Sequence, residues 1–200
     1  ARMVPSEGVA SFGDLVARDL REISTDPACL DSGGWWAVAI TFEGDFRGYR
    51  FADVRTDTMP AHTCRDIAIE TWVSTLSRDE YIAAVKSVRD DIARGWVYQA
   101  NICRVLTARL DAPVDPVGLY QRLQESNPSP HGGLLHVPGE WDIISASPEL
   151  FIHRSGSHIT TSPIKGTAAL NQEMLAKDHS ENIMIVDLMR NDLSHVAVPG

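Results

Sequence analysis

The sequence has no paired cysteines, no long apolar run and no glycine-rich phosphate loop, and each lack removes a class of protein. Its three cysteines, Cys29, Cys64 and Cys103, are far apart and odd in number. Without a CxxC spacing they suit neither a zinc site nor a disulfide frame, and they read as reduced thiols of a cytoplasmic protein. No apolar stretch approaches the ~20 residues that cross a bilayer, and the N-terminus lacks the charged-then-apolar pattern of a secretory signal, so no membrane partner is expected. GxGxxG and GxxxxGK(S/T) are missing, which removes the standard nucleotide cradles. The histidines at 62, 131, 136, 153, 158, 179 and 195 include no HxxxH or HxH pair, so a histidine metal site is not expected. Basic residues are few: 18 Lys and Arg stand against 27 Asp and Glu, a net charge of −9. That balance excludes a nucleic-acid or anionic-membrane binder, and an anionic substrate would need a local cation to offset the protein's own field.

What is present is a globular composition, 44% hydrophobic and 22% charged, which sets aside disorder and coiled coils. Two hundred residues suit one good-sized domain. Helical spacing of Leu15, Val16, Leu20 and Ile23 predicts a helix over Phe12–Ile23. The stretch from Trp35 to Val54 reads as a hairpin turning at Glu43-Gly44-Asp45, and residues 55–76 as a connection. Ser77 and Glu80 have capping-box spacing, and Tyr81, Ile82, Val85, Val88 and Ile92 then keep one apolar face until Gly95. Strict alternation from Trp96 to Leu110 predicts a long half-buried strand. A second helix is expected from Val114 to Gln124, stopped by Asn127-Pro128. Strands from about Glu140 to Arg154 and from His158 to Thr167 read as a hairpin around Ser155-Gly156-Ser157. A last helix, from about Ser180 to Leu193, is apolar over most of its girth and is expected to be buried. The order of elements implies an α+β fold with a mostly antiparallel sheet.

Three charges fall in apolar surroundings: Glu149 after Ser147-Pro148, Lys165 in Pro163-Ile164-Lys165-Gly166-Thr167, and Glu181 at the start of the apolar helix. Facing residues of a hairpin have a constant index sum, which places Glu149 within a residue or two of Lys165. The pair reads either as a cross-strand salt bridge, worth at most ~1 kcal/mol if exposed, or as an amine nucleophile beside a carboxylic acid. Glu181 reads either as a first-turn acid favoured by the helix dipole or as a magnesium ligand, since Mg²⁺ takes one or two carboxylates and leaves room for water and substrate oxygens.

Four blocks occur in order: Val97-Tyr98-Gln99-Ala100-Asn101, Ser147-Pro148-Glu149-Leu150-Phe151, Pro163 to Thr167, and Lys177 to Asp192. From about Asp79 to Gly200 the chain resembles the chorismate-utilising enzymes, which include anthranilate synthase component I, aminodeoxychorismate synthase component I, and the isochorismate and salicylate synthases. Among these it looks most similar to aminodeoxychorismate synthase component I, because anthranilate and salicylate synthases look to carry Ala where this chain has Lys165. Isochorismate-type enzymes also place a general-base Lys in the strand corresponding to Tyr98–Asn101, and this chain has none there.

The resemblance implies an anthranilate-synthase-like α/β sandwich with large, mostly antiparallel sheets. Residues 1–76 would be its N-terminal strand and helix portion, and 77–200 the first part of the chorismate-binding catalytic domain. The chain ends before the family's GAPK segment, glycine-rich carboxylate loop and second magnesium glutamate, so only the N-terminal part of the fold is expected. The loop from Ala168 to Ala176 is also shorter than the family's and lacks its Arg residues. The resemblance makes Lys165 the nucleophile toward C2 of chorismate and Glu149 the general acid for loss of the C4 hydroxyl. Ammonia from a glutamine amidotransferase subunit would then add at C4 and expel the lysine. Gly166 and Thr167 would line the substrate site, and Glu181 would be the first Mg²⁺ ligand. Pro130, His131 and Gly132 match part of a tryptophan site that some members hold. Anthranilate synthase component I, and a non-catalytic module that binds a glutaminase, are the alternative readings.

Overall fold

The computed structural model describes residues 7–67, 72–166 and 176–198. In chain order the elements are strands β1 (Val9–Phe12), β2 (Leu15–Ser24), β3 (Trp35–Ile40), β4 (Phe46–Thr56) and β5 (Val73–Ser74), helix α1 (Arg78–Ala93), strand β6 (Leu106–Thr107) and helix α2 (Pro116–Ser126). Strands β7 (Gly133–His136), β8 (Asp142–Ser145), β9 (Leu150–Ser155) and β10 (His158–Ser162) and helix α3 (Ala176–Leu193) follow, and a 3-10 turn over Pro27–Ser32 precedes β3. The chain is α+β, and it divides into two compact units, one of Ala1–Thr63 with Pro116–Gly200 and the other of Cys64–Asp115.

The first unit is built on a six-stranded sheet in the order β3-β4-β2-β1-β7-β8, antiparallel at every pairing. Gly13 supplies the turn between β1 and β2 with φ +61, a conformation costly for residues that carry a Cβ. Paired positions put Ala10, Ala17, Leu20, Ala37, Tyr49, Phe51 and Leu135 into one buried cluster, with Ile23, Trp35 and Val54 against it. A second cluster forms where Val117 and Tyr120 of α2 cover Leu134 of β7. The predicted hairpin over Trp35–Val54 is therefore β3 and β4, and α2 follows the predicted helix within two residues at each end.

The expected helix over Phe12–Ile23 is instead the β1–β2 hairpin. Asp19 has φ +62 and the pairing of β2 with β4 slips between Leu20 and Glu22, so Ala17, Leu20 and Ile23 reach one cluster at three-residue steps. A bulged strand thus imitates a helical period. The expected strand over Glu140–Arg154 is two strands in two sheets: β8 edges the large sheet, while β9 pairs with β10. Pro148 lies between them without an N–H to carry a ladder through. Strand β7 was not anticipated, because its run Gly133-Leu134-Leu135-His136 is too short to show a period. Helix α3 starts four residues before its expected beginning, and none of its described residues is buried, with Ile183 62% exposed. The apolar girth that predicted a buried helix has no cover among the described residues.

The second unit holds α1, whose capping box forms as read: Ser77 N donates to Glu80 Oε2 at 2.8 Å, and Glu80 N donates to Ser77 Oγ at 3.3 Å. At its other end Gly95 has φ +75 and Trp96 N donates to the Asp91 carbonyl at 3.0 Å, a Schellman closure. The long strand expected from Trp96 to Leu110 is reduced to β6, which among the described residues pairs only with the two residues of β5. Alternation alone cannot make a strand; a neighbouring ladder and a buried face must accompany it. Here Trp96 and Tyr98 stand exposed. Arg65 holds the end of this unit together, bonding Asp111 Oδ1 at 2.8 Å and the carbonyls of Ala112 and Pro113.

Candidate active site

The three singled-out charges come from the bend just before β9, from the segment that follows β10, and from the first turns of α3. β10 pairs antiparallel with β9, with His158 opposite Ser155 and Thr160 opposite His153, and the register slips by one after Thr160 so that Ser162 faces Leu150. The extra residue is on β9, where Phe151 and Ile152 stand opposite Thr161 alone, and Thr161 donates its hydroxyl to the Leu150 carbonyl at 3.2 Å. This register brings Glu149 to the Pro163–Gly166 segment, where its Oε1 accepts the Ile164 N–H at 3.3 Å. Glu149 thus meets the backbone one residue before Lys165, within the span expected from the hairpin register.

Glu149 is itself set by the turn before it. Ser147 Oγ donates to the Glu149 carbonyl at 3.0 Å and accepts the Glu149 N–H at 3.4 Å. The Ser147 carbonyl in turn receives His131 N at 3.2 Å and the Ser129 hydroxyl. Pro130, His131 and Gly132 therefore lie against the turn that carries Glu149. Gly132 is buried there, and a Cβ on it would come within 2.9 Å of the Ser145 carbonyl and 2.1 Å of Gln124 Nε2.

Helix α3 reaches the same segment from the other side. Asn182 Oδ1 accepts the Lys165 N–H at 2.8 Å, and Asn182 Nδ2 donates to the Lys165 carbonyl at 3.1 Å. Gly166 follows with φ +83, and a Cβ there would lie 2.9 Å from Cβ and Cγ of Asp178. Glu181, next to Asn182, is half-buried and takes the Lys177 ammonium at 3.3 Å. Glu149 and Asn182 thus bind consecutive residues of the Pro163–Gly166 segment, Ile164 and Lys165, and Glu181 is the residue before Asn182 on α3. Thr167 lies outside the described residues.

One expectation needs correcting. The apolar neighbours of Glu149 implied a costly, buried charge, yet Glu149 is exposed and Lys165 is half-buried. Phe151 and Ile152 beside it are exposed as well, so the neighbouring apolar residues do not enclose the carboxylate. For a divalent cation, no group of three His, Cys, Asp or Glu side chains assembles among the described residues. Glu181, the carboxylate expected to bind Mg²⁺, is paired with the Lys177 ammonium.

Sequence reasoning missed Asn182. It lies inside a quoted motif block, but its partner is 17 residues away, beyond the reach of any local periodicity. No helix among the described residues is long and apolar enough to cross a membrane.

A family model described as chorismate binding enzyme matches residues 45–200. The chain is 40% identical over 136 residues to anthranilate synthase component 1 of Haloferax volcanii, covering 62% of this chain and 25% of that protein. It is 34% identical over 157 residues to aminodeoxychorismate synthase component 1 of Bacillus subtilis, covering 71% and 33%. It is 38% identical over 141 residues to the Salmonella typhimurium protein of the same name, covering 64% and 30%. The chain thus spans between a quarter and a third of the length of these relatives.

Proposed function

The chain belongs to the chorismate-binding enzymes, and from that membership we propose that it is part of an aminodeoxychorismate synthase component I, converting chorismate and ammonia to 4-amino-4-deoxychorismate. One observation carries the reading: a lysine, at the position where similarity to anthranilate synthases would place alanine, sits one residue from the amide that Glu149 accepts. Its own peptide is bound to the helix that bears Glu181.

The chemistry follows from those side chains. Lys165 Nζ, with its lone pair free, forms a bond to C2 of chorismate; both ring double bonds shift, C1=C2 to C1=C6 and C5=C6 to C4=C5, and the C4–O bond breaks. Glu149 gives its proton to the departing hydroxyl, which leaves as water. Ammonia then bonds to C4, both double bonds shift back, and the C2–N bond to Lys165 breaks. The released amine and the Glu149 carboxylate recover between them the proton that ammonia brings in. The "component 1" in the relatives' names supports a second component, which we propose is a glutamine amidotransferase supplying the ammonia. For magnesium we propose only that Glu181 offers one carboxylate, which suits an ion that keeps several waters but requires Lys177 to move aside. Calorimetric titration of Mg²⁺ in the presence of chorismate tests this, with Glu181→Gln expected to weaken binding. We further propose that the α+β framework is part of an anthranilate-synthase-like sandwich.

The test is product analysis on the full-length protein with chorismate, Mg²⁺ and ammonium. Aminodeoxychorismate is the expected product, and Glu149→Gln should lower turnover by roughly 100-fold or more. Lys165→Ala at full turnover would sink the covalent route. The identity to an anthranilate synthase, at 40%, favours a second reading, anthranilate synthase component I. Anthranilate with released pyruvate would establish that reading instead, and neither product would leave a non-catalytic module.

A further inference from the structure

Strand β10 ends at Ser162, and Pro163 cannot continue its ladder for want of an N–H. The next two N–H groups nevertheless have partners, and both are side chains: Glu149 for Ile164 and Asn182 for Lys165. Asn182 does more than accept. Its amide runs antiparallel to the Lys165 peptide, accepting the N–H at 2.8 Å and donating to the carbonyl at 3.1 Å. A carboxamide is suited to such a pairing, because it presents one acceptor and one donor side by side. Aspartate in its place would keep the acceptor and turn an oxygen toward the Lys165 carbonyl. An apolar residue would leave both peptide groups without this partner.

We propose that Asn182 is the positioning residue for Lys165. Its carboxamide replaces the missing strand neighbour, holds the lysine's peptide against α3, and so fixes where the lysine amine emerges relative to Glu149 and Glu181. Gly166 supports the same arrangement, since its φ of +83 and missing Cβ allow the chain to close on Asp178 directly after the clamped peptide. Asn182 acts through Lys165 and takes no proton. The inference rests on the reading of Lys165 as the nucleophile, and the experiment separates the two.

The full-length protein is assayed with chorismate and ammonium as wild type, Lys165→Ala, Asn182→Ala and Asn182→Asp. Misplacing a reacting group by an ångström costs about 100-fold, so Asn182→Ala should lower kcat by about 10- to 100-fold, with KM for chorismate changed far less. Asn182→Asp, which keeps half of the pairing, should fall between Asn182→Ala and wild type; it also serves if the alanine variant does not fold. In parallel, an amine-selective acylating reagent labels Lys165 without substrate, its rate read by peptide mass spectrometry. The Lys165 labelling rate should change in both Asn182 variants, while that of Lys86, in the other unit, stays constant. Wild-type kcat in both Asn182 variants, with Lys165→Ala inactive, overturns the positioning role and leaves the nucleophile standing. Full turnover by Lys165→Ala overturns the nucleophile, and the clamp is then judged on labelling: an altered Lys165 rate upholds it and an unchanged rate overturns it.

Discussion

Gly166 concentrates two constraints on one residue. Its φ of +83 is a region costly to side-chain-bearing residues, and a Cβ would press to 2.9 Å from Cβ and Cγ of Asp178. The Cβ is fixed to the first turn of α3 and cannot move without moving the helix, although Cγ can turn about χ1. Gly166→Ala should therefore cost about 1–3 kcal/mol, from strained backbone and close contact together. Gly156, at φ +59 in the β9–β10 turn, has nothing within 4 Å of such a Cβ. Gly156→Ala should cost only the backbone part, about 1–2 kcal/mol. Urea midpoints of the two variants compared with wild type test the ordering; equal midpoints would mean that the approach of Asp178 carries no energy.

Among the elements, α1 has both ends signalled by its own residues, and its N-cap makes a pH-dependent prediction. Hydrogen bonds from Ser77, its hydroxyl first and its backbone N–H second, hold the Glu80 carboxyl below its ordinary value of 4.5. A carboxyl lowered on folding stabilises the folded form above its unfolded pKa, and that contribution disappears as pH falls through the lowered folded value. Asp57 and Asp111 behave likewise, the first held down by the Arg18 guanidinium and the Thr58 amide, the second chiefly by Arg65. Stability should thus decline as pH is taken from about 5 into the range below 4.5. Ser77→Ala should cost about 1 kcal/mol near neutral pH, and should make the acid decline shallower because Glu80 has lost the hydroxyl, the larger of the two groups that lower it, and keeps the backbone N–H. Thermal melts by circular dichroism across that range provide the check; an unchanged slope in Ser77→Ala would refute the link.

For the whole molecule, the large sheet carries an internal cost at Tyr49. The residue is fully buried in the main cluster, and its hydroxyl has no hydrogen-bond partner among the described residues. Burial first, and then the negative charge of Glu140, push the Tyr49 hydroxyl up from its ordinary value, so it remains a neutral O–H in the core. A buried hydroxyl without a partner costs about 1–3 kcal/mol, and Tyr49→Phe removes it while keeping the ring. The variant should be at least as stable as wild type, by up to that amount, in urea unfolding followed through the first unit's tryptophans. A loss of more than about 1 kcal/mol would mean that the hydroxyl is bonded after all.

Motif identity and local structure were legible in the sequence: the capping box at Ser77 and Glu80, the turn at Gly95, the β3–β4 hairpin, the stop of α2 before Pro128, and the proximity of Glu149 to Lys165. Each depends on residues close in the chain, or on a hairpin whose register follows from its turn. Tertiary structure alone decided the rest. Leu15–Ser24 is a strand because β1 and β4 flank it, Trp96–Leu110 is mostly not a strand because among the described residues only Val73–Ser74 pairs with it, and the apolar girth of α3 stays uncovered among the described residues. The pairing of Asn182 with Lys165 belongs to the same group, since a carboxamide's two bonds to a peptide 17 residues away have no periodicity to announce them. Caps and turns are written within a few residues of chain, whereas ladders, burial and clamps exist only once distant segments have met.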